Sequence, residues 1–267
     1  MSNGKDHTTL LKEAWSGLID GINETPPFSW AVALAGWAVD KLAALLERIT
    51  HKEDNMIVSE KEVCLLGVTP NFKARDRVRE EFHQIFDKRV NRKGADKLLE
   101  WMERNGFFEA PASKGHHLAV PGGLALHSLH VYRRLREIAA AAIIGHPCEG
   151  EFNLEGVLEE SVAIMALLHD LCKIDCYHRS GNGYTFRDPL PLGHGEKSVY
   201  LIAKYMKLLE TEALAIRWHM GAYDDAVKGG TNAFNAAMAM TPWVWRLHQA
   251  DMIATWEDER SGDDGRA

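Results

Sequence analysis

The chain has 267 residues, of which 46% are hydrophobic and 26% charged, and its formal net charge is −7. This composition is typical of a globular protein with a large core. The negative net charge does not favour binding of a polyanion, such as a nucleic acid, over the whole surface. Four cysteines in a chain of this length do not indicate a disulfide framework, so we expect reduced thiols and a cytoplasmic location.

One nearly apolar segment, residues 28–39, ends at Asp40 and Lys41. It is well short of the roughly 20 residues that a membrane-spanning helix needs. The first residues of the chain also lack the basic start and the small-residue cleavage site of a secretory signal. We therefore expect a soluble protein that makes no contact with a membrane.

Apolar residues recur with helical spacing along almost the whole chain, and the alternation typical of strands is scarce. This pattern predicts an all-α fold. We expect a small N-terminal helical lobe at residues 1–70, a core helical domain at residues 71–257 and a disordered acidic tail at residues 258–267. The helices expected in the core domain lie at about residues 71–90, 95–105, 123 onward, 154–175, 195–209, 211–220 and 241–257.

The helical pattern breaks between Tyr177 and Leu192. Gly181-Asn182-Gly183 is a turn signal, and the aromatic residues Tyr184 and Phe186 follow it closely. The sequence therefore predicts a short hairpin, or lid, inserted between two helices.

The segment LLHDLCK, residues 167–173, places His169 beside Asp170 at the polar end of an otherwise apolar helix. Burying an unpaired carboxylate there is costly, so a compensating charge is expected. A metal ion would supply it, because imidazole with carboxylate is a good donor set for transition metals. A solvent-exposed His-Asp pair at a helix end is the structural alternative for this dipeptide alone.

Four further polar residues lie in apolar helical surroundings: His127, His194, His219 and Asp251. Each of them by itself is more often a core or surface residue than a metal ligand. Together with the His-Asp pair, however, they supply a full set of groups whose chemistry suits metal binding. The sequence thus predicts a metal site built from distant parts of the chain.

The order His, His-Asp, His, His, Asp resembles the HD superfamily of metal-dependent phosphohydrolases. Residues 110–131, APASKGHHLAVPGGLALHSLHV, are similar to the stretch before the first ligand in HD-domain 3′-to-5′ exoribonucleases and in HD hydrolases of bacterial mobile elements. The phrases LLHDLCK, PLGHGEKSVYLI and AIRWHMG resemble the latter group. The resemblance covers roughly residues 75–257 and implies an HD-domain helical bundle.

The resemblance also implies a dinuclear centre of divalent transition metals, with Mn, Fe, Ni or Co as candidates and Mg as a further one. One ion would be held by His127, His169, Asp170 and Asp251, and Asp170 would bridge to a second ion bound by His194 and His219. Metal-assisted hydrolysis follows from such a centre, with Asp170 counted among the catalytic residues.

Three sets of residues are then assigned to the substrate. Lys173 matches the lysine of the HD-x-x-K motif and would neutralise a phosphate oxygen; a surface lysine at a helix end is its structural alternative. His117 matches a family histidine and would contact the leaving group, unless it is a solvated turn residue. Tyr177, Arg179 and Arg187 on the lid combine aromatic and basic groups in a way that suits a nucleotide.

Two positions depart from the related exoribonucleases. Leu126 stands where they have a glutamate before the first ligand, so no carboxylate behind His127 is expected from its neighbour. Met220 follows His219 where they have a second histidine. Both departures leave the predicted metal ligands in place but weaken the inference from those enzymes to this chain's substrate.

We expect hydrolysis of a small phosphate ester, in particular a nucleotide or other phosphodiester. One alternative is a 3′-to-5′ exonuclease on single-stranded nucleic acid, which the basic stretch at residues 73–97 would contact; a solvated helix face held by ion pairs is the structural alternative for that stretch. Another alternative is a mixed-valent di-iron oxygenase, since such enzymes use four histidines and two aspartates on an HD-type fold. A metal-stabilised scaffold without activity is the least favoured.

Overall fold

The computed structural model describes residues 72–145 and 157–259. The chain divides into two units, Met1–Ile57 and Val58–Ala267, and all described residues belong to the second. The predicted N-terminal lobe therefore lies outside the described residues, and its boundary at residue 70 stays a prediction. Asp258 and Glu259, the first two residues of the predicted tail, are part of the described structure, whereas 260–267 are not.

The described residues form an all-α fold with one small hairpin, as predicted. No described helix is both long and apolar enough to cross a membrane. Short 3-10 turns at Leu171–Asp175 and Gly221–Tyr223 and a π-helical turn at Ala254–Asp258 connect or extend the main elements. The elements in chain order are α1 Phe72–Arg89, α2 Ala95–Arg104, α3 Gly123–Gly145, α4 Val157–Leu168, β1 Tyr177–Ser180, β2 Gly183–Phe186, α5 His194–Ala203, α6 Glu210–Trp218, α7 Asp225–Lys228, α8 Ala233–Met240 and α9 Trp243–Ile253.

Four helices form the central bundle. Helix α3 packs against α4 and α9, and α6 closes the ring because it packs against both α4 and α9. Every residue from Val162 to Leu168 of α4 is buried, as expected for a helix that is apolar on all sides. Residues 124–132 of α3 are likewise buried, including the polar His127 and His130. The interior of this bundle is where the predicted metal ligands meet.

Helices α1 and α2 cover one side of the bundle. Helix α1 buries Val78, Phe82 and Phe86, spaced by four residues, against α3 and α4. The Phe82 ring lies 5.1 Å from that of Phe107 and 5.3 Å, edge to face, from that of Phe108, between ring centroids. This aromatic cluster supports the loop that leads into α3.

Two differences from the predicted elements affect the site or its surroundings. Helix α4 ends at Leu168 instead of continuing to about 175, so His169 and Asp170 lie at a break between α-helix and 3-10 turn. The short helices α7 and α8 add to the predicted elements and pack beside α6 and α9. The break after Leu168 turns two consecutive side chains toward the same interior space, which a continuous helix would separate by about 100°.

The hairpin forms where it is predicted. Its strands pair antiparallel with Tyr177 opposite Phe186 and Ser180 opposite Gly183, so Gly181-Asn182 is a two-residue turn. Gly181 has φ +58°, which the first position of such a turn favours.

Candidate metal centre

The central bundle contributes one predicted metal ligand from each of its four helices or from the residue directly after the helix. His127 lies on α3 and Asp251 on α9, whereas His169 follows α4 and His219 follows α6. The remaining two predicted ligands are Asp170 and His194, the first residue of α5. All six predicted ligands therefore face one interior space, although they are spread over 125 positions of sequence.

The first half of the centre lies between α3, α4 and α9. His127 Nε2 is 3.3 Å from His169 Nε2 and 3.3 Å from Asp251 Oδ1. The Oδ2 atom of Asp170 lies 3.6 Å from His127 Nε2 and 3.4 Å from His169 Nε2. These are the separations expected between atoms that share one metal ion, since each metal–nitrogen or metal–oxygen bond is about 2.0–2.2 Å long.

The second half uses the other oxygen of the same carboxylate. Asp170 Oδ1 lies 2.6 Å from His194 Nε2 and 3.4 Å from His219 Nε2. Asp170 thus presents one oxygen to each half of the centre, an arrangement that would suit a carboxylate shared by two ions. The centroids of the two imidazole rings are 5.3 Å apart.

Hydrogen bonds on the far side of the rings determine which nitrogen faces the centre. His169 Nδ1 donates to the Ala166 carbonyl oxygen at 2.8 Å, and His219 Nδ1 donates to the Ile216 carbonyl oxygen at 2.7 Å. Because a carbonyl oxygen can only accept, Nδ1 carries the proton in both rings. In the neutral rings, each Nε2 therefore points a lone pair into the centre, as a metal ligand must.

Among the predicted ligands, His219 has a buried ring nitrogen without a hydrogen-bond partner. His219 Nε2 is fully buried and makes no hydrogen bond, although Asp170 Oδ1 is near. Unpaired buried polar atoms are rare in folded proteins and call for an explanation. The donor set of four imidazoles and two carboxylates fits a pair of transition-metal ions, and a metal at Nε2 would satisfy this atom.

The carboxylates of the centre stabilise positively charged groups that lie next to them. Burial by itself raises the pKa of Asp170, but Lys173 and the neighbouring imidazoles outweigh it and hold that pKa well below its usual range. Burial likewise lowers the pKa of His127, but Glu259 and Asp251 overcome this and raise it to about 10. The interior of the bundle is therefore an environment that attracts cations.

Glu259 is a candidate site residue that the sequence analysis did not identify. Its side chain is fully buried, and Oε1 accepts hydrogen bonds from His127 Nδ1 at 2.9 Å and from His130 Nδ1 at 3.0 Å. A carboxylate in this position orients a ligating imidazole and increases its basicity. The neighbouring Asp258 is paired with Arg134 of α3, with Arg134 Nε donating at 2.8 Å, which holds the end of the chain's described part against the bundle.

His117 lies at the edge of the centre and is not a solvated turn residue. Its ring centroid is 5.0 Å from that of His127, and its Nε2 is buried 3.8 Å from Glu259 Oε2. Ser113 stabilises the loop, because its hydroxyl donates to the His117 carbonyl at 2.7 Å. The next residue, Leu118, has φ +42°, a left-handed conformation that is costly for leucine and that packing must maintain.

The centre opens on the side of His194, whose side chain is 30% exposed, whereas those of the other five predicted ligands are at most 8% exposed. Lys173 lies near this opening, with its Nζ 2.6 Å from Asp170 Oδ2. It is buried, so the surface-lysine alternative does not describe it. The nearby carboxylate raises the pKa of Lys173 against the opposing effect of burial, which keeps it a cation.

The three predicted substrate-binding residues of the hairpin do not all lie on the same face. Tyr177 and Arg179 are two residues apart on β1 and share one face, which Phe186 also shares because its ring lies 5.7 Å from that of Tyr177. Arg187 follows Phe186 directly and therefore lies on the opposite face, so we leave it out of the proposed substrate site. Burial raises the pKa of Tyr177, while nearby Lys173 acts in the opposite direction.

Three arginines of the basic stretch at residues 73–97 are paired with carboxylates. Arg79 pairs with Glu103, and Arg89 pairs with Glu159. Arg92 bridges Glu160 at 2.9 Å and the fully buried Glu212 at 2.5 Å. These ion pairs agree with the structural interpretation of this stretch, in which it is a helix face held by salt bridges.

Residues 124–256 match the model of the HD domain. This match spans all six predicted ligands and stops just before Glu259. A search of the curated proteins and a search of the solved structures found no match to the chain, so the finer resemblance to mobile-element hydrolases and exoribonucleases stays a prediction. The helical bundle, the ordered ligand set and the family match lead to one conclusion: the chain carries an HD domain and belongs to the HD superfamily of metal-dependent phosphohydrolases.

Proposed function

We propose that this protein uses two divalent transition-metal ions to hydrolyse a phosphate ester of a nucleotide or a related small phosphodiester. The observation that carries the proposal is the pair of Nε2 atoms of His127 and His169, which face each other at 3.3 Å. Both rings donate a hydrogen bond through Nδ1, so in their neutral forms two nitrogen lone pairs converge here, and a metal ion between them would bind both.

One ion would be held by His127, His169 and Asp251, and the other by His194 and His219, with Asp170 shared between them. When bound, such ions lower the pKa of water and neutralise the charge of phosphoryl oxygens. Mn, Fe, Ni and Co suit these ligands best, and Mg is a weaker candidate because imidazoles outnumber carboxylates.

Residues at the edge of the centre would bind and orient the ester. The Lys173 ammonium is placed to pair with a phosphate oxygen, because it already pairs with an anionic oxygen at the edge of the centre. His117 would contact the leaving group through its unpartnered Nε2. Burial and the neighbouring His127 lower the pKa of His117 to about 4, so it would act as a neutral hydrogen-bonding group at pH 7.

A small substrate is favoured over a nucleic-acid strand. A nuclease needs cations that are available to several successive phosphates, whereas Arg79, Arg89 and Arg92 are each paired with glutamate. The aromatic face of the hairpin, with Tyr177 and Phe186, is in contrast suited to stacking on one base. We therefore place a nucleotide with its phosphate at Lys173 and its base against the hairpin.

The test is an activity screen on protein loaded with Mn²⁺ or Ni²⁺. Substrates would include nucleotides, cyclic dinucleotides, bis(p-nitrophenyl) phosphate, and short single-stranded RNA and DNA. We expect cleavage of nucleotides or small phosphodiesters and slower cleavage of the oligonucleotides. Faster processive degradation of single strands would instead support the exonuclease, and fully loaded protein that cleaves no ester would overturn the proposal.

Lys173→Ala tests the assignment of the phosphate contact. We expect metal content and thermal stability to stay close to those of the unchanged protein, while kcat/KM falls roughly 10-fold or more, because a charge-assisted hydrogen bond to phosphate is lost. Lys207→Ala, at an exposed position, is the matched control and should change none of the three. A loss of folding without a specific kinetic effect would assign Lys173 to the structure alone.

A further inference from the structure

The hairpin needs an anchor that its own hydrogen bonds do not supply. An isolated two-stranded ribbon is at best marginally stable in water, and the Phe186 side chain on this ribbon is 58% exposed. If Tyr177 and Arg179 are to meet a substrate at a defined place, the base of the ribbon must be held against the bundle.

A buried ammonium lies at that base. Lys197 of α5 is 1% exposed, and its Nζ donates to Asp175 Oδ1 at 2.6 Å and to Asp188 Oδ1 at 2.6 Å. The Cys176 Sγ atom is 3.4 Å from the same nitrogen. Buried lysines are rare unless they are paired, and this one has two carboxylate partners.

The two carboxylates belong to opposite ends of the hairpin. Asp175 precedes β1 by two residues, and Asp188 follows β2 by two residues. Between them, the amide of Arg187 donates to the Cys176 carbonyl at 2.9 Å and extends the ladder by one pair. Lys197 therefore joins the incoming and outgoing chains of the hairpin at a single point, which fixes the ribbon relative to α5.

Helix α5 connects this point to the metal centre. Its first residue is His194, one turn before Lys197, and the adjacent Ser198 hydroxyl accepts a hydrogen bond from the Cys172 amide at 3.0 Å. Cys172 precedes Lys173 in the 3-10 turn. One turn of helix thus carries a predicted metal ligand, the anchor of the hairpin and a contact to the turn that holds the phosphate-binding lysine.

We propose that Lys197 is a positioning residue, which holds the Tyr177–Arg179 face of the hairpin over the open side of the metal centre by joining Asp175 to Asp188. The proposal rests on the proposed function for its effect on substrate, but the anchoring itself is a property of the fold. A buried ion pair is often no better for stability than packed apolar side chains. Its value here is that it specifies one orientation of the ribbon.

The experiment compares Lys197→Met, which keeps an unbranched side chain of similar length without the charge, with Lys197→Arg and with Arg92→Met. Arg92 is a matched control, because it also bridges two carboxylates but lies at the α1, α4 and α6 end of the bundle. Asp188→Asn is the milder variant, since it removes one carboxylate whose side chain is 18% exposed and leaves Lys197 paired with Asp175.

Three measurements are made on each metal-loaded protein: hydrogen exchange of the amides of residues 177–187, metal content, and kcat and KM for a nucleotide and for bis(p-nitrophenyl) phosphate. In Lys197→Met we expect faster exchange in the hairpin, unchanged metal content and a KM for the nucleotide raised roughly tenfold, the factor that corresponds to one lost charge-assisted hydrogen bond. The KM for the small ester, which carries no nucleobase or ribose, should change less than twofold. Lys197→Arg should restore part of the effect, and Asp188→Asn should show it more weakly.

Hairpin exchange in Lys197→Met that is no faster than in Arg92→Met would overturn the proposal, as would equal effects on both substrates. If no ester is cleaved by any of the proteins, the proposed function fails, but the exchange measurement still decides whether Lys197 anchors the hairpin. The two failures are therefore distinguishable.

Discussion

The direction of each imidazole determines what the centre can bind. Nδ1 of His169 and Nδ1 of His219 each donate a hydrogen bond to the backbone carbonyl three residues earlier in the chain. This arrangement follows from the position of each histidine directly after a helix, where the last carbonyls lack partners within the helix. The ends of α4 and α6 thereby supply the second contact that fixes each ligand.

The proposed bridging role of Asp170 leads to a prediction about the number of bound metal ions. Asp170→Ala should lose both metal ions, because one oxygen of this carboxylate serves each half of the centre. His219→Ala should lose mainly the second ion, since its Nε2 lies 3.4 Å from Asp170 Oδ1, the oxygen that also faces His194. Elemental analysis of the purified variants measures both effects, with Asp225→Ala, at a fully exposed carboxylate, as the control. Full metal content in Asp170→Ala would contradict the assigned site.

Glu259 gives a prediction that the family match alone does not make. Glu259→Gln should weaken metal binding at the first half of the centre by roughly 10- to 100-fold, because a neutral amide supports the His127 ring less well than a carboxylate. Competition with a chelator of known affinity measures the change. Glu257→Gln, at an exposed position two residues earlier, is the matched control. An unchanged affinity in Glu259→Gln would make Glu259 a structural residue only.

The arrangement of elements depends on one close approach between helices. A Cβ atom added at Gly195 of α5 would overlap the Arg217 carbonyl oxygen of α6 and lie 2.7 Å from the Ile216 carbonyl oxygen. The Ile216 oxygen is the acceptor for His219 Nδ1. The contact between α5 and α6 therefore holds His194 and His219 at their separation across the second half of the centre.

Gly195→Ala should move these two helices apart. We expect a loss of about 1–3 kcal/mol in the free energy of unfolding, as for other overpacked sites, together with selective loss of the second metal ion. Thermal denaturation and elemental analysis of the same sample measure the two effects. Gly115→Ala, where an added Cβ meets nothing within 4 Å, should leave both unchanged. Retention of two ions in Gly195→Ala would show that the approach of α5 to α6 does not set the ligand geometry.

The same elements show what sequence patterns can predict. The helical periodicity predicts α1, α2 and α3 closely, because each presents one or more apolar faces to the core. It fails at the end of α4, where the apolar run continues through Leu171, Cys172 and Ile174 although the helix stops at Leu168. Periodicity reports burial, and these residues are buried in the 3-10 turn as well. Only the tertiary requirement that His169 and Asp170 face one centre distinguishes the two geometries.

At the scale of the whole molecule, the six predicted ligands could be picked out of the sequence because each is a polar residue in apolar surroundings, and the structure brings them together. Glu259 could not, since it lies in the acidic segment EDERSGDD, where the sequence indicates exposure. Its burial depends on a distant partner, the pairing of Asp258 with Arg134, that no local pattern shows. The inward face of the hairpin likewise depends on Lys197, whose sequence context alone suggests a solvated helix residue.

The class of reaction is a property of the whole centre, and it can be tested without knowing the natural substrate. Hydrolysis requires Lewis acidity and an activated water, so Mn²⁺, Co²⁺ or Ni²⁺ should each support turnover of phosphate esters in the absence of oxygen. An oxygenase with the same ligands needs iron that changes oxidation state, and it must consume O₂. The buried cation Lys173 beside the carboxylate of Asp170 favours hydrolysis, because it offers a counter-charge to phosphate that an oxygen-activating site does not require.

We therefore expect phosphate-ester cleavage under strict anaerobiosis with Mn²⁺ or Ni²⁺ bound, measured as released phosphate or nitrophenolate. Turnover that appears only with iron and stops when oxygen is removed would replace the hydrolase assignment with an oxygenase built on the same six ligands.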